Sequence, residues 1–240
     1  MTTIPATPSA ATSTGTDVRA PVLSTGTDVR APVLQASGVT KSYKRGIWPL
    51  RRTQEVLAGG DLTLYTGEVV GLTGENGSGK STLMKILVGA LGADQGTVTH
   101  TGRLGYCPQT PLVYDRLTCD EHFDLFGHAY AMSSEATAQS RQAIYDELGF
   151  ARYADTRADQ LSGGTLSKLN LGLALLADPD LLLLDEPYAG FDWDTYQKFW
   201  GLVAQRRDAG RTVLIISHFV VDEDRFDRIV AVRDGKAVPR

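Results

Sequence analysis

Hydrophobic positions follow two different periodicities from Gln35 onward, and together they predict an α/β fold. Short apolar runs bounded by turn residues are typical of buried strands. Seven runs have this character: Val56–Leu64, Glu68–Thr73, Arg103–Cys107, Leu181–Asp185, Thr212–Ser217, Ile229–Val232 and Lys236–Val238. Helical periodicity lies between several of them, as expected of a mainly parallel sheet connected by helices.

The middle of the chain carries signals of helices without strands. Thr118-Cys-Asp-Glu121 is a capping box, and it opens an apolar-faced helix that continues through Tyr130. A second helix is predicted over residues 134–148, ending at Gly149. We therefore expect a helical subdomain at about residues 112–165, inserted into the α/β core.

Residues 1–34 differ in composition from the rest of the chain. Thr, Ala, Pro and Ser dominate, and an 11-residue unit, Ser13–Leu23, is repeated identically as Ser24–Leu34. Two short polar copies cannot build a stacked repeat core, and the segment lacks the pattern of a signal peptide. We expect a disordered tail with a local duplication, a peptide-docking role being the alternative, followed by one domain over residues 35–240.

Composition excludes several functional classes. The net charge of −4 gives no basic field for binding nucleic acid. No apolar run approaches the ~18 residues that cross a bilayer. Two cysteines without a CxxC motif, together with 4 histidines, argue against a disulfide framework or a structural zinc site and favour a reducing cytoplasm. Glycine is abundant, at 25 residues in 240.

The sharpest motif is a phosphate-binding loop that follows a predicted strand and precedes a predicted helix. Glycines let backbone N–H groups surround phosphate oxygens, and the helix directs its positive end at them. The lysine can reach the β- and γ-phosphates, and the next hydroxyl can ligate Mg²⁺. The candidate nucleotide-binding residues are Gly74, Glu75, Asn76, Gly77, Ser78, Gly79, Lys80, Ser81 and Thr82.

A second motif delivers two carboxylates at the end of a strand. Leu181–Asp185 is apolar up to its last residue, and Glu186 and Pro187 follow. Ligands of parallel sheets bind outside the carboxyl ends of the strands. Asp185 is therefore a candidate for the Mg²⁺ shell, and Glu186 for polarising the attacking water.

A third motif, Ser162-Gly163-Gly164, lies directly before a helix-compatible run, Leu166–Ala177. A serine and two glycines at a helix start form a second anion-binding terminus. One chain with one triphosphate site hardly needs two such termini. A head-to-tail pair, in which each chain lends its second terminus to its neighbour's nucleotide, is an economical solution.

In this order the motifs resemble the nucleotide-binding subunit of ABC (ATP-binding cassette) transporters, over about residues 35–240. The resemblance covers the Walker A loop at Gly74–Ser81, the Walker B strand at Leu181–Asp185, the catalytic glutamate at Glu186 and the signature motif at Leu161–Thr165.

Four smaller matches follow the family order. Tyr43 resembles the aromatic residue that stacks on adenine, and Gln109 the loop glutamine that senses Mg²⁺ and the partner domain. Ala189–Asp192 resembles the D-loop. His218, after an apolar strand, resembles the switch histidine that contacts the γ-phosphate.

The resemblance implies a P-loop ATPase with a mainly parallel core sheet, an antiparallel β flap and a helical subdomain. ATP and Mg²⁺ are the implied ligands; Ser81, Gln109 and Asp185 are the implied metal residues, and Glu186, His218 and Gln109 the catalytic ones. A second copy of the cassette, as a homodimer, and a separate polytopic membrane permease are the implied partners. The chain would then lie peripherally on the cytoplasmic face of the membrane.

Three departures from the family pattern stand out. Thr165 replaces the glutamine that usually ends the signature motif. Lys168 stands where arginine is usual, so an ammonium group replaces the planar guanidinium group with its forked hydrogen-bond donors. Phe191 replaces a leucine in the D-loop, a change we expect to be tolerated. Residues 46–53 read as an enlarged loop after Tyr43.

The sequence defines the direction of transport and the transported substrate less clearly. The short flap and the Gly105–Gln109 segment resemble the ATPase subunits of two-component exporters, which favours export over import. The alternative is a soluble ABC ATPase that acts in cluster assembly or repair without a permease.

Overall fold

The computed structural model describes residues 30–46, 52–217 and 220–240. These residues form two β-sheets, five α-helices and three short 3-10 segments. The strands are β1 (Pro32–Arg45), β2 (Arg52–Tyr65), β3 (Val69–Thr73), β4 (Gln95–His100), β5 (Leu104–Cys107), β6 (Leu181–Asp185), β7 (Thr212–Ile216), β8 (Arg228–Arg233) and β9 (Lys236–Pro239). The helices are α1 (Lys80–Leu87), α2 (Cys119–Ala129), α3 (Ser134–Leu148), α4 (Gly163–Leu175) and α5 (Trp193–Asp208).

The larger sheet has the order β5-β6-β7-β3-β8-β9, and only β9 runs antiparallel to its neighbour. β6 and β7 are buried at every position, as expected of parallel strands covered on both faces. Leu182 and Leu184 of β6 pack into one hydrophobic cluster, and Leu181 and Leu183 into the other. The predicted mainly parallel core sheet is confirmed, and the carboxyl ends of β3 and β6 lie at the same edge.

The smaller sheet is the expected antiparallel flap, with the order β2-β1-β4. Its strands β1 and β4 do not stand out in the sequence, because register shifts interrupt β1 and because β4 is almost entirely exposed. β1 begins at Pro32, so three residues of the compositionally distinct segment 1–34 belong to this sheet. The loop expected at residues 46–53 is shorter than predicted, since Arg52 and Thr53 pair with Arg45 and Lys44.

Helices occupy the chain between β5 and β6. The capping box of α2 is confirmed: the Thr118 hydroxyl accepts a hydrogen bond from the Glu121 N–H (3.2 Å), and the Glu121 carboxylate accepts one from the Thr118 N–H (2.8 Å). Helix α3 ends at Gly149, which is left-handed (φ 68°). Helix α4 begins at Gly163, three residues before the predicted start, because Ser162 caps it.

An ion pair between buried Glu68 and partly exposed Arg228 joins the flap to the core sheet. Glu68, which is 1% exposed, accepts hydrogen bonds from the Tyr65 N–H (2.8 Å) and from the Arg228 guanidinium (2.7 Å). Arg228 also donates to the carbonyl oxygen of Thr63 (2.6 Å). These bonds fix the end of β2 against β8. Within the described ranges, no helix is long and apolar enough to cross a membrane.

Candidate nucleotide-binding site

The loop between β3 and α1 has a backbone that depends on glycine. Gly79, the residue before α1, has φ 106°, and a Cβ atom there would lie 2.9 Å from the carbonyl oxygen of Val56. A side chain is therefore excluded both by conformation and by space. The first N–H groups of α1 have no partner within the helix, so this end can bind an anion.

Lys80 lies at the start of α1 and is only 5% exposed. Its ammonium group donates hydrogen bonds to the carbonyl oxygens of Gly74 (2.8 Å) and Glu75 (3.0 Å). Burial lowers the pKa of Lys80, while the nearby carboxylates of Glu186 and Asp185 act in the opposite direction. The loop thus holds a partly desolvated cation beside two acidic groups.

Asp185 and Glu186 are neighbours in the chain with different surroundings. Asp185 ends β6 and is 2% exposed; burial raises its pKa, opposed by a hydrogen bond from Ser81 and by Lys85 and Lys80. Glu186 is half-buried and left-handed (φ 52°), and its N–H donates to the carbonyl oxygen of Ile216. Such strain in a residue other than glycine is concentrated at functional sites.

One open cleft of about 810 Å³ brings most of the predicted site residues together. The predicted residues that line it are Tyr43, Asn76, Gly77, Gly79, Lys80, Ser81, Thr82, Gln109 and Glu186. Gly74, Glu75 and Ser78 line an adjoining cleft of about 770 Å³ on the side of β8 and the turn that follows it. His218 lies outside the described residues.

The acidic groups and hydroxyls of this cleft fit a magnesium ion. Asp185 Oδ1 is buried and has no hydrogen-bond partner, and its carboxylate interacts with the Ser81 hydroxyl. Oxygen ligands of this kind are those that Mg²⁺ prefers, usually together with substrate phosphates. In the described part of the chain, no group of three or more His, Cys, Asp or Glu residues could hold a metal ion by itself.

The third motif lies apart from this cleft. Ser162 caps α4: its hydroxyl accepts a hydrogen bond from the Thr165 N–H (3.3 Å) and lies 2.9 Å from the Thr165 hydroxyl. Gly163 is exposed, and a Cβ atom there would meet no neighbour within 4 Å. Gly164, in contrast, packs against Gly190. The predicted second anion-binding terminus is therefore separate from the phosphate loop of its own chain.

The family model described as "ABC transporter" matches residues 57–189, more than half of the chain. The chain belongs to the ABC transporter family. The expectation of an ABC-type P-loop ATPase fold is thereby confirmed at the level of the family. The match spans the Walker A loop, the Gln109 segment, the signature motif and the Walker B strand.

Curated ABC proteins share about a third of the residues over the aligned region. The chain is 32% identical over 196 residues to Nod factor export ATP-binding protein I of Burkholderia lata. It is 34% identical over 192 residues to the protein of that name from Sinorhizobium fredii, and 31% over 214 residues to cholesterol transporter ABCA5 of Rattus norvegicus. The alignments cover 76%, 73% and 83% of this chain, but 64%, 55% and 13% of those relatives.

Solved ABC cassettes have the same fold. The dimeric structure of MJ0796, a bacterial ABC transporter cassette, superposes with a TM-score of 0.77 at 26% identity, covering 85% of this chain and 96% of that one. The same cassette in a post-hydrolysis state bound to ADP and Pi gives the same TM-score of 0.77.

Three cleft residues do not stand out in the sequence: Lys44, Gln54 and Val56, all from the β1–β2 hairpin. Gln54 pairs with Tyr43 on the neighbouring strand. Only the register of the hairpin reveals this neighbour, because no motif in the sequence marks it.

Proposed function

We propose that this chain binds Mg²⁺-ATP in the 810 Å³ cleft and hydrolyses it. The observation that carries the proposal is the shared position of Lys80, Gln109 and Glu186 in one cleft, with Asp185 buried behind it. Tyr43 would stack on adenine, and the loop at residues 74–82 would surround the phosphates. The membership of the ABC transporter family supports this division of tasks.

Hydrolysis requires an oriented water and a stabilised γ-phosphoryl group. Glu186 would accept a hydrogen bond from the attacking water, and Lys80 would hold the β- and γ-phosphate oxygens by charge. Ser81, Asp185 and Gln109 would hold Mg²⁺, which offsets charge on the phosphates. His218 is proposed to contact the γ-phosphate.

We further propose that the active form is a head-to-tail homodimer. Ser162, Gly163 and Gly164 do not line the cleft of their own chain, and Gly163 has open space in front of it. A second copy could place this helix terminus against the nucleotide of the first. The dimeric structure of the similar cassette MJ0796 supports this arrangement.

A complementation experiment tests the shared sites. Lys80→Ala damages the phosphate loop, whereas Gly163→Glu places a negative charge at the helix terminus without a clash in its own chain. Each variant alone should lose ATPase activity. Mixed heterodimers contain one intact composite site, so activity should return on mixing; no recovery would contradict the shared arrangement.

We propose that the chain drives transport through a separate membrane permease, in the direction of export. An apolar groove of about 380 Å³ lies between the end of α1, the Gln109 segment and helices α2 and α4. Two apolar side chains beside it are largely exposed, Leu112 (66%) and Tyr114 (59%). In the family this region receives a coupling helix of the membrane partner, and the similarity to Nod factor export proteins supports export.

Copurification distinguishes this proposal from the alternative of a soluble ABC ATPase for assembly or repair. The full chain, tagged and expressed in its own cells, should be recovered peripherally on the cytoplasmic face of membranes with a polytopic partner. Substituting Leu112 by Glu should release it, because a charge would then enter the apolar contact. Recovery with soluble proteins alone would contradict transport.

A further inference from the structure

Asn170 connects helix α4 to the segment that carries Gln109. It lies in the middle of α4 and is 6% exposed. Its side-chain amide donates hydrogen bonds to the carbonyl oxygen of Pro108 (2.8 Å) and to the Cys107 sulfur (3.2 Å). Pro108 directly precedes Gln109 in the chain. One buried side chain thus joins two elements that are 62 positions apart.

The amide at this position requires an explanation beyond packing. Its neighbours in α4, Leu169 and Leu171, are fully buried and apolar. A buried amide costs free energy unless its hydrogen bonds are made. The amide nitrogen of Asn170 has two acceptors in the Cys107-Pro108 segment. An apolar residue would fill the same space without needing hydrogen bonds. We therefore attribute the presence of an amide to its hydrogen bonds with the Cys107-Pro108 segment.

Helix α4 joins Asn170 to the residues Ser162 and Gly163 at its start. Ser162 and Gly163 begin the helix, and Asn170 follows eight residues after Ser162, at a distance of about 12 Å along a rigid rod. Gln109 lines the nucleotide cleft. The hydrogen bond of Asn170 therefore joins α4 to the backbone that directly precedes Gln109.

We propose that Asn170 is a positioning residue that couples the signature terminus of α4 to Gln109 and so sets the Mg²⁺ response of the site. This inference rests on the proposed function, since it assigns Gln109 to the Mg²⁺ site. Asn170 and Pro108 also line the apolar groove with Leu112.

The test compares Asn170→Ala with Ser140→Ala. The Ser140 hydroxyl donates a hydrogen bond of 2.7 Å to the carbonyl oxygen of Leu176, at the other end of α4. Both variants remove a hydrogen bond to the same helix, but only the first touches the Gln109 segment. Asn170→Ser, which is too short to reach Pro108, gives a second variant if the alanine variant does not fold.

Two measurements test the connection between Asn170 and Gln109, and the first of them does not depend on the proposed function. Hydrogen exchange of residues 106–112, without nucleotide, should accelerate in the Asn170 variants and not in Ser140→Ala. In ATPase assays, Asn170→Ala should raise the Mg²⁺ concentration for half-maximal rate about tenfold, with Mg²⁺-free ATP binding unchanged. In a Gln109→Ala background this effect should vanish, because the two residues act as one unit.

Unchanged hydrogen exchange, or an equal Mg²⁺ dependence in Asn170→Ala and Ser140→Ala, would overturn the role of Asn170. An additive effect with Gln109→Ala would overturn its action through Gln109. Absence of Mg²⁺-dependent hydrolysis in the unmodified chain would contradict the proposed function instead, and the exchange measurement would still decide whether Asn170 holds the segment.

Discussion

Gly164 and Gly190 lie in backbone contact: a Cβ atom on Gly164 would overlap the carbonyl oxygen of Gly190. The same two segments are joined by the Ser167 hydroxyl, which donates to the carbonyl oxygen of Ala189 (2.8 Å). The start of α4 is therefore fixed to the segment after β6, which carries Glu186. The start of α4 and residues 189–190 form one packed unit in this chain.

Gly164→Ala should destabilise this unit, because the methyl group has no space. Overpacking of this kind lowers the free energy of unfolding by about 1–3 kcal/mol. Gly163→Ala is the matched control, since its methyl group meets no neighbour within 4 Å. Urea unfolding of both variants measures the difference. Equal stability of the two would show that the close contact has no energetic weight.

Lys80→Ala should weaken ATP binding. A lysine that donates to phosphate oxygens contributes about 1.5–3 kcal/mol, so the Kd should rise roughly tenfold to a hundredfold. Lys198→Ala removes an exposed lysine from α5 and should leave the affinity unchanged. Equilibrium titration with a fluorescent ATP analogue measures both. Equal ATP affinity of the Lys80 variant and the unmodified chain would contradict a role of this lysine in ATP binding.

Glu68→Ala should destabilise the whole fold, because it separates the flap from the core sheet. Loss of one partner of a buried ion pair costs about 3–5 kcal/mol, and we expect about 2–3 kcal/mol here because Arg228 is 33% exposed. Asp208→Asn is the control, since that carboxylate is 68% exposed in a surface pair. Equal melting temperatures of the two variants would contradict this role of Glu68.

The α5 cap should contribute a pH-dependent stability. Hydrogen bonds with the side chain and backbone of Thr195 hold the pKa of Asp192 below its ordinary value, and Lys168 adds to the shift. A depressed folded pKa stabilises the fold fully above the unfolded pKa of about 3.9, and this stability is lost as the pH falls through the folded pKa.

Asp192→Asn keeps a hydrogen-bond acceptor but cannot titrate. We therefore expect its free energy of unfolding to decrease less than that of the unmodified chain between about pH 5 and pH 2. Urea unfolding at a series of pH values measures the slope. Parallel curves for the two proteins would exclude Asp192 as a source of acid sensitivity.

The buried parallel strands and the capped helices could be predicted from the sequence because local signals determine them. Leu181–Asp185 is apolar enough to identify a strand, and Thr118 and Glu121 specify the start of α2 by chemistry alone. β1 and β4 carry no such local signal, since β1 is interrupted by register shifts and the pairing of β4 depends on β1. Helix α5 is not among the elements predicted above, although Phe199, Trp200 and Val203 are buried at helical spacing.

The phosphate loop and the two carboxylates could be predicted because short motifs carry their chemistry. Other relationships at the cleft arise only when the chain folds. Gln54 reaches it through its pairing with Tyr43, and the Asn170 connection to Pro108 spans the helical part of the chain. Both relationships depend on three-dimensional packing, for which no local pattern exists.

The assignment of Glu186 as the residue that orients the attacking water is tested most directly by Glu186→Gln. The amide keeps the size of the side chain but cannot act as a base, so the ATPase rate should decrease at least about 100-fold. ATP affinity should persist, and size-exclusion chromatography with ATP should show a stable dimer. Hydrolysis by this variant at the rate of the unmodified chain would contradict the role of Glu186 and the proposed mechanism with it.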